Sequence, residues 1–182
     1  MIKINMGCGW RDFGKDWIHI DSGDYEHLDY CSITDLSQFE DDSIDLVYAS
    51  HVIEYFDREQ VVSILDEWYR ILKPGAEIRI AVPDFEQMSK LYVDNSTELS
   101  DILGPLYGKM SMGNEIIYHR TVYDFKTLEK TLNFSGFEDI ERYDWGDYKD
   151  HVENDDHSQS YLCPKGDKKN GVLISLNVVA TK

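Results

Sequence analysis

"KINMGCGWRDFGKDWIHID", residues 3–21, decides how the rest of the chain is read. An apolar run leads into Gly7 and Gly9, which flank Cys8, and a second apolar run, "WIHI", ends on Asp21. Glycine at a strand end lets the backbone turn sharply and approach a ligand closely. An acid at the end of the next strand can accept the hydroxyl hydrogen bonds of a ribose. Each feature alone reads equally well as a plain turn; together they predict a nucleotide-binding turn. Only residues 10–20 separate Gly9 from Asp21. A parallel crossover needs a dozen or more residues with a helix inside, so the first helix is expected to be a stub or absent.

Working outward, "HLDYCSI" (27–33) and "SIDLVYASH" (43–51) read as a third and a fourth strand. In "DREQVVSILDEWYRILKPG" (57–75) the apolar residues Val61, Val62, Leu65, Trp68, Tyr69 and Leu72 recur at helical spacing, with Asp57 and Gln60 placed as a capping box and Pro74–Gly75 as the stop. "AEIRIAVPD" (76–84) is a fifth strand. Residues 84–118 lose the strand rhythm and read as a helical insertion, "DFEQMSKLYVD" and "STELSDILGPLYGKM", broken at Gly104–Pro105 and followed by a glycine-bearing loop. A further helix, "DFKTLEKTLNFSGF", precedes two strands, "EDIERYDW" and "GVLISLNVVATK", which are separated by a long polar connection over 146–170. Strands alternating with helices predict an α/β fold, a doubly wound and mostly parallel sheet in one domain spanning residues 1–182.

The chain of 182 residues is 42% hydrophobic and 13% aromatic, enough for one good core. Its 35 acidic residues against 18 basic ones give a formal charge of −17, which repels a polyphosphate backbone and argues against nucleic acid as a partner. Cys8, Cys31 and Cys163 are odd in number and widely spaced. They suggest neither a disulfide framework nor a zinc site, and point to a reducing, cytoplasmic compartment. No stretch of about 18 apolar residues occurs, so no membrane span is expected. The cluster His151, Asp155, Asp156 and His157 sits among alternating charges and reads as a solvated loop rather than a metal site. No metal is predicted, and no sequence feature sets an oligomeric state.

In this order, "INMGCG", "IHID", "DDSIDLVYASHVIEYF", "RILKPGAEIRIAVPD" and "LEKTLNFSGFEDIE" resemble the successive motifs of class I, Rossmann-like S-adenosylmethionine-dependent methyltransferases, in particular a group of small bacterial predicted methyltransferases. The resemblance runs over about residues 2–145 and implies a seven-stranded sheet and an enzyme that uses S-adenosyl-L-methionine. It places Gly7, Cys8 and Gly9, bordered by Met6 and Trp10, against the methionine part of the cofactor. Asp21, followed by Ser22, takes the ribose. Ser32, Ile33 and Thr34 flank the adenine, Ile33 with an apolar face, and Ser50 and His51 face the sulfur and the acceptor. Two departures from the pattern stand out: Trp10 and Arg11 replace a third glycine, and Ser32 replaces the acid that commonly ends the third strand. A nicotinamide fingerprint fails, because the third glycine of GxGxxG falls on Asp12.

His51 is the leading candidate for a general base, since a neutral imidazole can take a proton near neutral pH. Glu54 and Tyr55 follow at three and four residues and share a helical face with it. In "YHRTVYDF" (118–125), His119 is a second catalytic candidate. With Tyr55, Asp84, Arg120 and Tyr123 it forms the expected acceptor contacts, the resembling group having this region at the active-site mouth. The expected acceptor is a small molecule or glycan-like compound, methylated at oxygen or nitrogen; the alternative is a non-catalytic cofactor-binding or accessory protein.

Overall fold

Strand register sorts the side chains of the main sheet onto two unlike faces. The structure, a computed structural model, describes residues 1–112, 115–149, 154 and 156–182. The strands and helices in chain order are β1 (Lys3–Met6), β2 (Trp17–Ile20), β3 (Ile44–Ser50), α1 (Arg58–Ile71), β4 (Leu72–Pro83), α2 (Phe85–Val93), α3 (Leu99–Tyr107), β5 (Met110–Met112), β6 (Glu115–Ile117), α4 (Phe125–Phe134), β7 (Glu138–Arg142), β8 (Tyr161–Leu162), β9 (Val172–Leu173) and β10 (Ser175–Thr181). The main sheet runs β2-β1-β3-β4-β10-β7, parallel from β2 to β4, with β10 antiparallel to both of its neighbours.

Ile4 and Met6 pair with Val47 and Ala49, these with Ile78 and Ile80, and Ile78, Ile80 and Val82 with Ala180, Val178 and Leu176. That face is wholly apolar, and α1 and α4 bury it through Val61, Leu65, Trp68, Leu128 and Leu132. The periodicity of α1 matches the sequence reading as far as Ile71, whereas Leu72, Pro74 and Gly75, read as its end and stop, lie in β4; the Gln60 side chain accepts from the Asp57 N–H at 3.2 Å. Trp68 contributes its whole ring to the core while its indole N–H donates to the Ile33 carbonyl at 3.1 Å, so burial leaves no donor unpaired.

On the opposite face Asn5 pairs with His19 and Tyr48, and Tyr48 with Arg79. Polar and aromatic residues occupy it, and no helix among the described residues covers it. Right-handed crossovers put the β1–β2 connection and α1 on opposite sides of the sheet, but residues 7–16 form no helix. The expected stub is thus absent. Phe13 takes its place, edge-on to Trp17 at 5.4 Å and stacked on Tyr48 at 5.8 Å, with the Lys3 ammonium 4.4 Å from the Trp17 ring. The connection after β7 covers the rest: Tyr148 lies under Arg79 at 3.6 Å, and buried Asp156 accepts from the Tyr48 hydroxyl.

Four sequence expectations change. "HLDYCSI" adds no seventh strand to the main sheet: Tyr30 makes a single bridge to Ile20, after which the Ser32 hydroxyl accepts from the Asp35 N–H at 2.9 Å and turns the chain away. Gly104–Pro105 does not break α3: Pro105 lies inside its last turn, and the Pro105 carbonyl is taken by His119 Nδ1 at 3.0 Å. The glycine-bearing loop after it carries an antiparallel ribbon, β5 with β6. The connection over 146–170 is not merely polar: Leu162 joins Met88, Leu91, Ile102 and Ile174 in a second apolar cluster between α2, α3 and the sheet end. His151 and Asp155 lie outside the described residues, and no group of three metal-capable side chains occurs among the described ones.

Phe13 is the only large apolar side chain that the short crossover adds to this aromatic cluster. Phe13→Ala opens a void beside Trp17 and Tyr48 and is expected to cost about 2–3 kcal/mol, read as a fall in the urea midpoint at unchanged slope.

Candidate cofactor and acceptor site

The ends of β1, β2 and β3 are tied together by backbone hydrogen bonds. After β1 the chain turns through Gly7 and Gly9 at φ +66° and +58°, and the N–H groups of Gly7 and Cys8 both donate to the Ile20 carbonyl, at 2.7 and 3.2 Å. A Cβ on Gly7 would meet Val52 Cγ2 at 2.4 Å, whereas one on Gly9 meets nothing within 4 Å. Gly7 is therefore required by packing, and Gly9 presents bare backbone to open space.

Asp21 is buried, and its two carboxylate oxygens are each used once: Oδ2 accepts from the Gly9 N–H at 2.8 Å and Oδ1 from the Gly23 N–H at 2.7 Å. Each oxygen keeps a lone pair. The carboxylate thus holds the glycine turn in place and still offers two acceptor positions, which suits a ribose diol. Ser22 is exposed beside it.

Other expected cofactor contacts fall differently. Met6 and Ile33 send their side chains into the main core, so neither presents an apolar face to a ring; only their backbone is available. Ser32 spends its hydroxyl on its own turn, and Thr34 is exposed next to it. Trp10 is 68% exposed, with the Arg11 guanidinium over its ring at 4.6 Å, and so borders the turn as an external flap. Cys8 is buried, and burial together with the Asp21 charge pushes its thiol up to about 12; it packs and does not act as a nucleophile.

At the end of β3, Ser50 has a buried hydroxyl and His51 adopts φ +56°, donating its N–H to the Ala81 carbonyl at 2.8 Å. A 3-10 turn, Ile53–Tyr55, follows. Glu54 in that turn is completely buried, and neither carboxyl oxygen has a hydrogen-bond partner among the described residues. Its Oε1 lies 3.4 Å from His51 Nδ1 and 3.8 Å from His119 Nε2. Burial pushes the Glu54 carboxyl up to about 8. It pushes His51 well below the ordinary histidine range, with His157, His119 and Arg11 adding to the effect. His119 is lowered by the same cause, against hydrogen bonds to the Pro105 and Leu106 backbone. The cluster is consequently neutral at pH 7.

The expected acceptor residues separate. His119 and Tyr55 belong to this cluster, their rings edge-on at 4.6 Å, and burial raises the Tyr55 hydroxyl to about 12. Tyr123 is buried in the main core, with its hydroxyl raised by burial and by Glu54. Asp84 and Arg120 have structural partners instead: Asp84 caps α2 through the Gln87 N–H at 3.1 Å and pairs with Arg142 at 3.1 Å, and Arg120 reaches Asp57 at 2.8 Å on the surface. A glutamate three residues after a histidine carries no sequence mark of burial. That of Glu54 arises from the distant segment 119–121, where the Arg120 and Thr121 N–H groups both donate to the Glu54 carbonyl.

The methyltransferase domain family matches residues 17–80, from β2 into β4. A SAM-dependent methyltransferase from Archaeoglobus fulgidus superposes over 100% of this chain and 86% of its own at 18% identity and a TM-score of 0.57. This chain has the class I methyltransferase fold. One from Methanosarcina mazei is alike at 17% identity, 100% and 92% coverage and a TM-score of 0.57. The 1,6-didemethyltoxoflavin-N1-methyltransferase of Burkholderia thailandensis, bound to its acceptor and S-adenosylhomocysteine, matches at 13% identity, 100% and 70% coverage and a TM-score of 0.55. No curated protein sequence matches significantly. In this fold the glycine turn and Asp21 occupy the β1 and β2 ends; no helix among the described residues is long and apolar enough to cross a membrane.

A carboxyl raised from 4.5 to about 8 binds a proton in the folded chain that the unfolded chain releases. Its contribution to stability is full below about pH 4.5 and is lost as pH rises to 8. Glu54→Gln removes that slope, so the thermal midpoint of the variant, relative to the parent, is expected to climb steadily from pH 5 to pH 8.5. A constant difference would show that Glu54 is ionised throughout.

Proposed function

We propose that this chain is an S-adenosylmethionine-dependent methyltransferase that methylates an oxygen or nitrogen atom of a small-molecule or glycan-like acceptor. The observation that carries the reading is the Asp21 carboxylate, which holds the Gly7–Gly9 turn and keeps one acceptor position on each oxygen, in a chain whose fold and matched segment are of the methyltransferase type. The cofactor supplies an electrophilic methyl group on a sulfonium; the chain's own task is to hold and align. The turn from Met6 to Trp10 receives the methionine portion by backbone, Asp21 with Ser22 takes the ribose, and the backbone of residues 32–34 borders the adenine. Ser50 and His51 stand where the transferred methyl meets the acceptor, and His51 takes the acceptor's proton.

The acceptor side is formed by Tyr55, His51 and His119, aromatic and neutral, and suits a small uncharged or weakly basic compound. The Burkholderia neighbour likewise acts on a small molecule. A formal charge of −17 disfavours nucleic acid. Asp84, Arg120 and Tyr123 support this site by fixing the segments around it.

Calorimetric titration with S-adenosylmethionine and with S-adenosylhomocysteine tests the reading. Saturable binding is expected, and Asp21→Ala is expected to weaken it tenfold to more than a hundredfold, the loss of hydrogen bonds to a charged group being about 1.5–3 kcal/mol. An absence of heat at millimolar ligand, or equal binding by Asp21→Ala, overturns it.

A further inference from the structure

The geometry points to Glu54 as the positioning residue that sets which nitrogen of His51 carries the proton, and so makes His51 Nε2 a base when the Glu54 carboxyl is deprotonated. The inference deepens the proposed methyl transfer and rests on it for its role in the reaction, although the tautomer switch itself can be observed without any ligand.

The argument follows the lone pairs. The Asn177 amide N–H group donates to the Ser158 carbonyl at 2.9 Å, which leaves its Oδ1 as an acceptor, and the Ser175 hydroxyl fills it at 2.9 Å. Having spent its hydrogen there, Ser175 Oγ offers a lone pair to His51 Nε2 at 3.3 Å, so Nε2 carries the ring proton. His119 Nδ1 faces the Pro105 carbonyl at 3.0 Å and must likewise donate. The remaining nitrogens, His51 Nδ1 and His119 Nε2, then present lone pairs to the same Glu54 oxygen, at 3.4 and 3.8 Å. Three lone-pair atoms cannot converge in a dry site without a proton among them. A protonated Glu54 provides it, donating to His51 Nδ1.

Once that proton leaves, the buried carboxylate has no donor unless His51 supplies one. The ring does so by moving its hydrogen to Nδ1; the Nε2 lone pair so formed takes the Ser175 hydrogen, turned from Asn177 Oδ1, until an acceptor's proton replaces it. An oxygen or neutral amine acceptor gives up one proton for each methyl it receives. That proton goes to Nε2, and the imidazolium so formed keeps its Nδ1–H on the Glu54 carboxylate, the orientation by which a carboxylate supports a histidine base. The His51 ring is 13% exposed and Glu54 is not exposed at all, which suits one for meeting an acceptor and the other for acting through it. Facing the pair are Arg11 from the β1–β2 connection, His157 from the turn before β8, His119 and Tyr123 from the segment after β6, and Tyr55 beside Glu54. His157, His119 and Arg11 each disfavour a charged His51.

Long-range proton–nitrogen correlation spectra of 15N-histidine-labelled protein read the tautomer directly, with His51 assigned by its loss in His51→Asn. Between pH 6 and pH 10 the parent is expected to pass from Nε2–H to Nδ1–H with a population change of at least tenfold, and Glu54→Gln is expected to hold one tautomer throughout. An unchanged tautomer in the parent, or the same transition in Glu54→Gln, overturns the assignment. Ser175→Ala gives an independent check: removing the Nε2 partner should raise the Nδ1–H share at pH 6, and no change there counts against it. Failure of the cofactor titration with the switch intact would remove the proposed reaction and leave the switch standing. With an acceptor in hand, the parent's rate should rise with pH through the alkaline transition and that of Glu54→Gln should lack this limb.

Discussion

Two backbone N–H groups, on Gly9 and Gly23, converge on one buried carboxylate, and the C-terminal edge of the sheet is arranged around that junction. Asp21 joins the turn after β1 to the turn after β2 where a longer chain would use a helix. The Ile20 carbonyl, by accepting from Gly7 and Cys8, brings the glycine turn across β2. Val52, pressed against Gly7, fixes the same turn from the β3 side. A ligand at this edge meets backbone held at three points, the kind of preorganisation that positioning chemistry needs.

The shortened crossover has consequences across the sheet. A parallel sheet is normally covered on both faces, and among the described residues α1 and α4 cover only one. The other carries Asn5, His19, Tyr48, Arg79 and Asn177, groups that need hydrogen bonds or charge partners rather than apolar cover. Phe13 supplies what apolar cover there is, and the segment from Tyr143 to Leu162 supplies the polar partners, through Asp156 on Tyr48 and the Ser158 carbonyl on Asn177. That same segment brings His157 to within 5.2 Å of the His51 ring, measured between centroids. The substitute for the missing helices is therefore also a wall of the acceptor site.

Much of this was legible in the sequence, for identifiable reasons. α1, α4, β3 and β4 have strong periodicity, and the glycine turn and Asp21 are local features that the fold joins by a hydrogen bond. The short spacing between Gly9 and Asp21 correctly excluded a helix. The third strand was misread because the Ser32 hydroxyl, accepting from the Asp35 N–H, turns the chain away after one bridge, which β-type composition at 27–33 does not show. Asp84 and Arg120 looked like acceptor contacts, yet their charges are taken up by Arg142 and Asp57 from other elements. Glu54 was legible only as a neighbour of His51. Its burial depends on residues 119–121 returning over it, a long-range contact without a local signature.

The electrostatics of the whole chain and of the site run in opposite senses, and the contrast bears on the reaction. The surface is strongly acidic, which draws cations toward it and is weakened by salt. The cluster at His51 is neutral at pH 7, since burial suppresses the charge on Glu54 and on both histidines alike. In the proposed reaction a sulfonium-bearing cofactor approaches through an attractive field and meets, at His51, a cluster with no charge of its own at pH 7. Methyl transfer removes the sulfonium charge and releases a proton, so the favoured movement of positive charge is from sulfur toward His51 and the Glu54 carboxylate behind it.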